Sequence, residues 1–248
     1  MDNVLIITGG SRGIGAATAQ LAAGQGYTVC LTYRRQRQAA QQIVASIQQQ
    51  GGRAIAMAAD MASEADILHL FETVDAQLGT VTALVNNAGI LEPQMRLEDI
   101  DAARLNRILQ ANVVGSFLCA REAVKRMSTK QGGRGGAIVN VSSVAARLGA
   151  PGEYIDYAAS KGAIDTMTIG LAKEVAAEGI RVNAVRPGFI DTDIHASGGE
   201  ANRIERVKEF IPMQRGGQAI EVAHAILWLL SPQASYTTGS FIDLAGGK

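Results

Sequence analysis

Short apolar runs alternate with longer amphipathic or alanine-rich stretches along almost the whole chain. The runs at 4–8, 28–32, 54–58, 83–86, 137–141, 181–185 and 241–244 are mostly continuous in apolar and β-favouring residues rather than strictly alternating. A strand covered on both faces has that composition, because successive side chains point to opposite faces and neither face meets water. Seven strands of a parallel sheet are therefore predicted. Between them the spacing turns helical, most clearly at 157–178, where Ile164, Met167, Leu171 and Val175 form one apolar stripe and Gly179 supplies a stop signal. Strands alternating with helices through right-handed crossovers give an α/β, doubly wound sheet with helices on both faces. Ligands of such sheets bind beyond the carboxyl ends of the strands. The glycine-rich stretch 132–136 reads as a flexible surface loop.

The 248 residues, 47% of them hydrophobic, suffice for one large core, so 1–248 is expected to form a single domain. Lys+Arg and Asp+Glu both count 23, and this zero formal charge argues against nucleic acid or an anionic membrane as partner. A small-molecule ligand fits better. No apolar run spans a bilayer and the first strand begins at once, so no signal peptide is expected and the protein is placed in the cytoplasm. Cys30 and Cys119 lie in apolar stretches and read as reduced core thiols, and with the three histidines scattered no metal site is expected.

The candidate chemistry sits where the strands end. Tyr157 and Lys161 are one helical turn apart, which sets an ammonium beside a phenol and predicts a lowered phenol pKa. After the first strand comes Thr8-Gly9-Gly10-Ser11-Arg12-Gly13-Ile14-Gly15, suited to a tight turn at which a pyrophosphate meets backbone amides and a helix N-terminus. An ordinary strand-to-helix turn has the same glycines, and the spacing is not that of the general dinucleotide fingerprint. Asn86-Asn87-Ala88-Gly89, Asn112, Ser142-Ser143 and Pro187-Gly188 complete the set. In this order the motifs resemble the short-chain dehydrogenase/reductase family, near its 3-oxoacyl-carrier-protein reductase and glucose-dehydrogenase-like branches. The resemblance runs to Ala245-Gly246-Gly247 and implies a Rossmann fold.

It also implies a nicotinamide cofactor. Gly9, Ser11, Arg12, Gly13, Ile14 and Gly15 would hold the pyrophosphate, Asp60 and Met61 the adenine, and Ala88 and Gly89 the adenosine ribose, with Asn86 or Asn87 bracing the sheet. Pro187, Gly188, Ile190 and Thr192 would line the nicotinamide, and Lys161 with Tyr157 its ribose. An NAD site needs an acidic side chain at the end of the second strand, and this chain has Tyr33-Arg34-Arg35 there, with Arg12 in the glycine turn. Guanidinium groups suit a phosphate, so NADP(H) is the preferred cofactor; NAD(H) stays open, as does a merely solvating role for these arginines.

By the same resemblance the chain is an oxidoreductase that carries hydride between nicotinamide and a carbonyl or secondary alcohol. Tyr157 would be the general acid/base, Lys161 its tuner, Ser143 the holder of the substrate oxygen, and Asn112 the holder of a water linking Lys161 to solvent. From Ser143 to Tyr157 is fourteen positions against an expected thirteen, an excess assigned to the loop at 150–156, and Ser143 is preferred to Ser142. Tyr154, Leu91 to Gln94, Arg147 and Glu153 are weaker candidates for pocket walls. The polar segment 191–213 is expected to be a mobile substrate lid, with Glu200, Arg203, Glu205 and Arg206 either solvated or bonding a sugar or acyl carrier, and His195 at the surface. Assembly as a homodimer or homotetramer is implied, through helices around 106–127 and 157–178 and the last strand. The rival reading is a non-catalytic NADP(H)-sensing protein, which has no need of a proton relay.

Overall fold

In the first strand, β1 (Asn3–Ile7), Val4 and Ile6 enter one core while Leu5 and Ile7 enter another, which is why the four residues after Asn3 are all apolar. The computed structural model describes residues 3–248. It continues through β2 (Tyr27–Tyr33), β3 (Ala54–Ala58), β4 (Val81–Asn86), β5 (Gly136–Val141), β6 (Ile180–Pro187), β7 (Ile190–Asp191), β8 (Gly217–Gln218) and β9 (Phe241–Leu244). Seven of these form one parallel sheet in the order β3-β2-β1-β4-β5-β6-β9. Strand order reverses between β1 and β4, and the crevice this opens at their carboxyl ends is where such sheets take ligands. β7 and β8 make a separate two-stranded pair that the sequence pattern did not predict, since two residues carry no periodicity.

The helices are α1 (Gly13–Gly24), α2 (Arg37–Gln49), α3 (Glu64–Gln77), α4 (Ala102–Leu109), α5 (Gly115–Met127), α6 (Ala145–Leu148), α7 (Ile155–Val175), α8 (Ile194–Ser197), α9 (Arg203–Val207) and α10 (Ala219–Leu230). Phe71 of α3, Met127 of α5 and Ile164 of α7 fill the core on one face of the sheet; Ala19 of α1, Ile47 of α2 and Ile226 of α10 fill the other. Fully buried side chains such as Phe71 each stabilise the fold by about 1.5–3 kcal/mol. The predicted helix at 157–178 is α7 followed by a 3-10 turn, Ala176–Glu178, and it ends at Gly179 with φ +76°. α4 passes through a five-residue π turn, Gln110–Val114, into α5.

One expectation fails here. The stretch 132–136 packs against the end of α5: Gly135 N–H donates to Met127 O at 2.7 Å, and a Cβ on Gly133 would lie 2.4 Å from Arg126 O. Gly132 and Arg134 do lie at the surface, but Gly133, Gly135 and Gly136 serve close backbone approach. Among the described residues no helix is long and apolar enough to cross a membrane.

Candidate active site

The turn after β1 is shaped by what surrounds it. Gly9 has φ +65°, and a Cβ on Gly15 would lie 2.4 Å from Gly9 O and 2.6 Å from Asn87 Nδ2. Asn87 fastens this turn to the end of β4: its Nδ2 donates to Thr8 O and Gly9 O, both at 2.9 Å, while Thr8 Oγ1 accepts from Asn87 N and Ala88 N. Asn86 bonds instead across the sheet, from Nδ2 to Asn140 Oδ1 at 2.9 Å.

A cleft of about 1280 Å³ runs from this turn along the strand ends. Tyr33, Arg34, Arg35, Asp60 and Met61 line one end; Ser143, Tyr157, Lys161, Pro187, Gly188 and Ile190 line the other. Of the residues assigned above to cofactor and catalysis, Gly15 and Asn112 lie behind the wall and the others face the cleft. Arg34 Nη1 stands 3.9 Å from Asp60 Oδ2, with both side chains well exposed, and Arg35 is exposed beside it. Thr192 approaches Gly13 from across the cleft.

At the other end the two serines part. Ser142 is buried and its Oγ donates to Asp165 Oδ1 at 2.6 Å on α7. Ser143 lies on the cleft wall, with Oγ 3.3 Å from Pro187 O, and its hydroxyl hydrogen-bonds Tyr157. The fourteen positions from Ser143 to Tyr157 run through α6 and a turn in which Gly149, Ala150 and Gly152 all have positive φ. Lys161, 4% exposed, donates from Nζ to Val141 O at 2.7 Å and stands 5.5 Å from the Tyr157 ring centroid. Asn112, on the π turn, brackets Ile90: its Oδ1 accepts from Ile90 N at 2.7 Å and its Nδ2 donates to Ile90 O and Ser160 Oγ, each at 3.1 Å. A methyl group placed on Gly89 would lie 3.5 Å from Asn112 Oδ1 and 3.6 Å from Lys161 Nζ, so the two side chains flank one small space.

The electrostatics differ from the sequence-based expectation. Burial pushes the Tyr157 phenol up to about 12, and the Ser143 hydroxyl draws it back only in part. Burial also pushes Lys161 down to about 8, against an opposing pull from Asp165. Without a ligand, then, desolvation outweighs the one-turn spacing, and Tyr157 is a protonated phenol at neutral pH.

Several weaker assignments are corrected. His195 is buried, not at the surface: it lines the cleft, Nε2 lies 2.9 Å from Ile190 O, and Nδ1 has no partner among the described residues. Its pKa is lowered by burial and, more weakly, by Arg203. Tyr154 is also buried and does not border the cleft; its hydroxyl donates to Gly198 O at 3.1 Å. Arg147 pairs with Asp243 at 2.5 Å, and Gln94 with Glu200 at 2.7 Å. Arg203 is not solvated either: its side chain is 8% exposed against the Tyr154 ring, Glu153 binds Arg203 and Arg206, and the half-buried Glu200 binds the same two. Of the weak candidates Leu91 and Glu92 do line the cleft, joined by Arg107, Gln110 and Val114, which the sequence reading missed. Arg107, Gln110 and Val114 recur three and four positions apart along one helix face, and that spacing was the signal that could have grouped them.

Residues 9–248 match a family model described as enoyl-(acyl carrier protein) reductase. The chain is 62% identical over 245 residues, 99% of both proteins, to the uncharacterized oxidoreductase YgfF of Escherichia coli (strain K12). It is 39% identical to a 3-oxoacyl-[acyl-carrier-protein] reductase of Synechocystis, covering 98% of this chain and 96% of that one. Among solved structures, a short-chain dehydrogenase/reductase from Serratia marcescens superposes with a TM-score of 0.91 at 31% identity, over 99% of this chain and 97% of that one. With these matches spanning nearly its full length, the chain belongs to the short-chain dehydrogenase/reductase family and is an oxidoreductase.

Proposed function

We propose that the protein is an NADP(H)-dependent reductase of carbonyl compounds, running in reverse on secondary alcohols. The observation that carries this reading is the convergence of Ser143, Tyr157 and Lys161 on one wall of the cleft that begins at the glycine turn. The cleft suits the cofactor: a side chain at Gly15 would collide with Gly9 O and Asn87 Nδ2 and force open the turn whose amides would meet a pyrophosphate, and Arg34 and Arg35 offer guanidinium donors for a 2′-phosphate. Gly9, Ser11, Arg12, Gly13 and Ile14 would hold the diphosphate, Asp60 and Met61 the adenine, Ala88 and Gly89 the ribose, and Pro187, Gly188, Ile190 and Thr192 the nicotinamide. Bound there, the nicotinamide supplies or accepts the hydride.

The chain's own residues do the rest. Ser143 Oγ and the Tyr157 hydroxyl both donate toward a carbonyl oxygen, where negative charge grows as the carbon is reduced. Tyr157, protonated at neutral pH, gives that oxygen its proton. Lys161 then stabilises the phenolate and returns the proton. Asn112, whose main-chain oxygen accepts from Ser116 Oγ at 3.0 Å, would hold the water of the relay. The segment 191–213, built from α8, α9 and a 3-10 turn, covers the substrate end as a lid. The names of the 39%-identical relatives put 3-oxoacyl thioesters first among substrates to try. Exposed Leu105 and Phe117 on α4 and α5 and Ile169 on α7 support assembly as a dimer or tetramer.

The test follows NADPH absorbance with acyl thioesters, diketones, quinones and aldehydes. Turnover on one class, lost in Tyr157→Phe with NADPH binding kept, is expected; tight NADPH binding by the wild type with no turnover on any carbonyl would favour the sensing protein.

A further inference from the structure

Arg104 of α4 and Asp156 of α7 form an ion pair whose side chains are 4% and 1% exposed. Neither residue faces the cleft. Removing both charges from water is costly, and apolar side chains of similar size would hold the two helices together as well. What the pair does that apolar residues do not is direct. Asp156 Oδ2 accepts from Arg104 Nε at 2.6 Å, and Oδ1 accepts from Arg104 Nη2 at 3.3 Å and from the main-chain N–H of Tyr157 at 2.9 Å. The third guanidinium donor, Nη1, reaches Pro93 O at 2.7 Å.

The start of α7 needs such a partner. Tyr154 at its N-cap provides no side-chain hydrogen bond, so the first N–H groups of the helix need other side-chain acceptors. Asp156 takes the one that belongs to Tyr157, and a carboxylate in a first turn is also favoured by the helix dipole. Arg104 in turn fixes the carboxylate by a planar fork. Arg104 itself is held by the Asp101 cap, whose Oδ1 accepts from its N–H at 2.7 Å. Its helix runs on into the π turn that carries Asn112, and Asn112 brackets Ile90 in the same loop as Pro93.

Resting on the reductase reading above, we infer that Arg104 is a positioning residue for Tyr157: through Asp156 it sets the first turn of α7 and so the place of the phenol relative to Ser143, and it locks that turn to the loop at 90–93 and to the Asn112 turn. The inference concerns geometry rather than charge. A displacement of the order of 1 Å at a reacting group is enough to cost about a hundredfold in rate.

Two variants test it. Arg104→Lys keeps the charge but cannot bond both carboxylate oxygens and Pro93 O together; Arg104→Met/Asp156→Asn removes both charges and keeps an acceptor for Tyr157 N–H. Each is expected to lower kcat at least about tenfold while the NADPH Kd stays within about twofold. The 13C signal of the Tyr157 ring, assigned by its disappearance in Tyr157→Phe, is expected to titrate at a shifted pH in Arg104→Lys, where no charge has been lost. That resonance reads Tyr157 without any substrate, so a wild type that turns nothing over defeats the reductase reading and leaves this inference to the titration. A folded Arg104→Lys with wild-type kcat and an unmoved Tyr157 titration overturns it. So does wild-type kcat in the double variant, which would make the pair a structural tie only.

Discussion

Lys161 spends its shortest hydrogen bond on Val141, not on Tyr157: Nζ lies 2.7 Å from the main-chain oxygen of Val141 and 5.5 Å from the Tyr157 ring centroid. The charged form is thus held at the end of β5 in a site that disfavours it, with the pKa down at about 8 from 10.5. A lysine whose folded pKa lies below its unfolded value destabilises the fold below about pH 8, and that penalty disappears as pH rises toward 10.5. Lys161→Met is therefore expected to abolish turnover and yet raise stability in urea at pH 7 by an amount on the order of 2 kcal/mol, with the difference from wild type shrinking by pH 10. Equal stability of the two proteins at both pH values would refute it.

Arg35 has open solvent around it and Arg34 only a 3.9 Å approach to Asp60, so both are available to a ligand phosphate. Replacing both by alanine is expected to weaken NADPH about tenfold to a hundredfold, the worth of charge-assisted hydrogen bonds, and to change NADH by less than about threefold. Fluorescence titration with the two nucleotides measures both numbers. A parallel loss for NADH would show that the arginines do not read the phosphate.

Gly15→Ala sets a methyl 2.4 Å from Gly9 O, a backbone atom that cannot swing aside. The turn must open, and NADPH affinity should fall more than about tenfold, since the backbone amides lose their common aim. Calorimetric titration with unchanged affinity would mean that the turn relaxes without cost.

His195 is held neutral by burial, so the unfolded chain binds more protons than the folded one from the ordinary value of 6.5 downward. Its contribution is complete above that value and is lost as pH falls toward the depressed folded pKa. His195→Gln keeps a donor for Ile190 O and removes the titration, so its melting temperature should fall less than that of wild type between pH 7.5 and 5.5. Parallel curves would exclude His195 as the titrating group.

The sheet was readable because its strands lie between two layers of helices: residues such as Leu5 and Ile6, facing opposite cores, must both be apolar. Much of the cleft wall was readable because it sits at strand ends in contiguous motifs such as 9–14 and 86–89. What escaped depends on segments far apart in sequence. Nothing near Arg203 announces that Glu153, fifty positions earlier, will bury it, and Tyr154 met Gly198 rather than the cleft for the same reason. The local rule of one helical turn placed Lys161 beside Tyr157, but the depth of the site, which no spacing encodes, governs their protonation.

The two-residue pairing of β7 with β8 joins Ile190 to Gly217 and Asp191 to Gln218. It draws the two ends of the intervening segment together at its base like a drawstring, while Tyr154 and Glu153 fasten its middle to the body of the protein. A segment with such fixed ends can change its length and residues while every strand of the main sheet keeps its register, because extending a closed loop adds little entropy cost. Under the reductase reading proposed above, the sheet ends would carry the chemistry while the looped segment would be the part where substrate preference can vary.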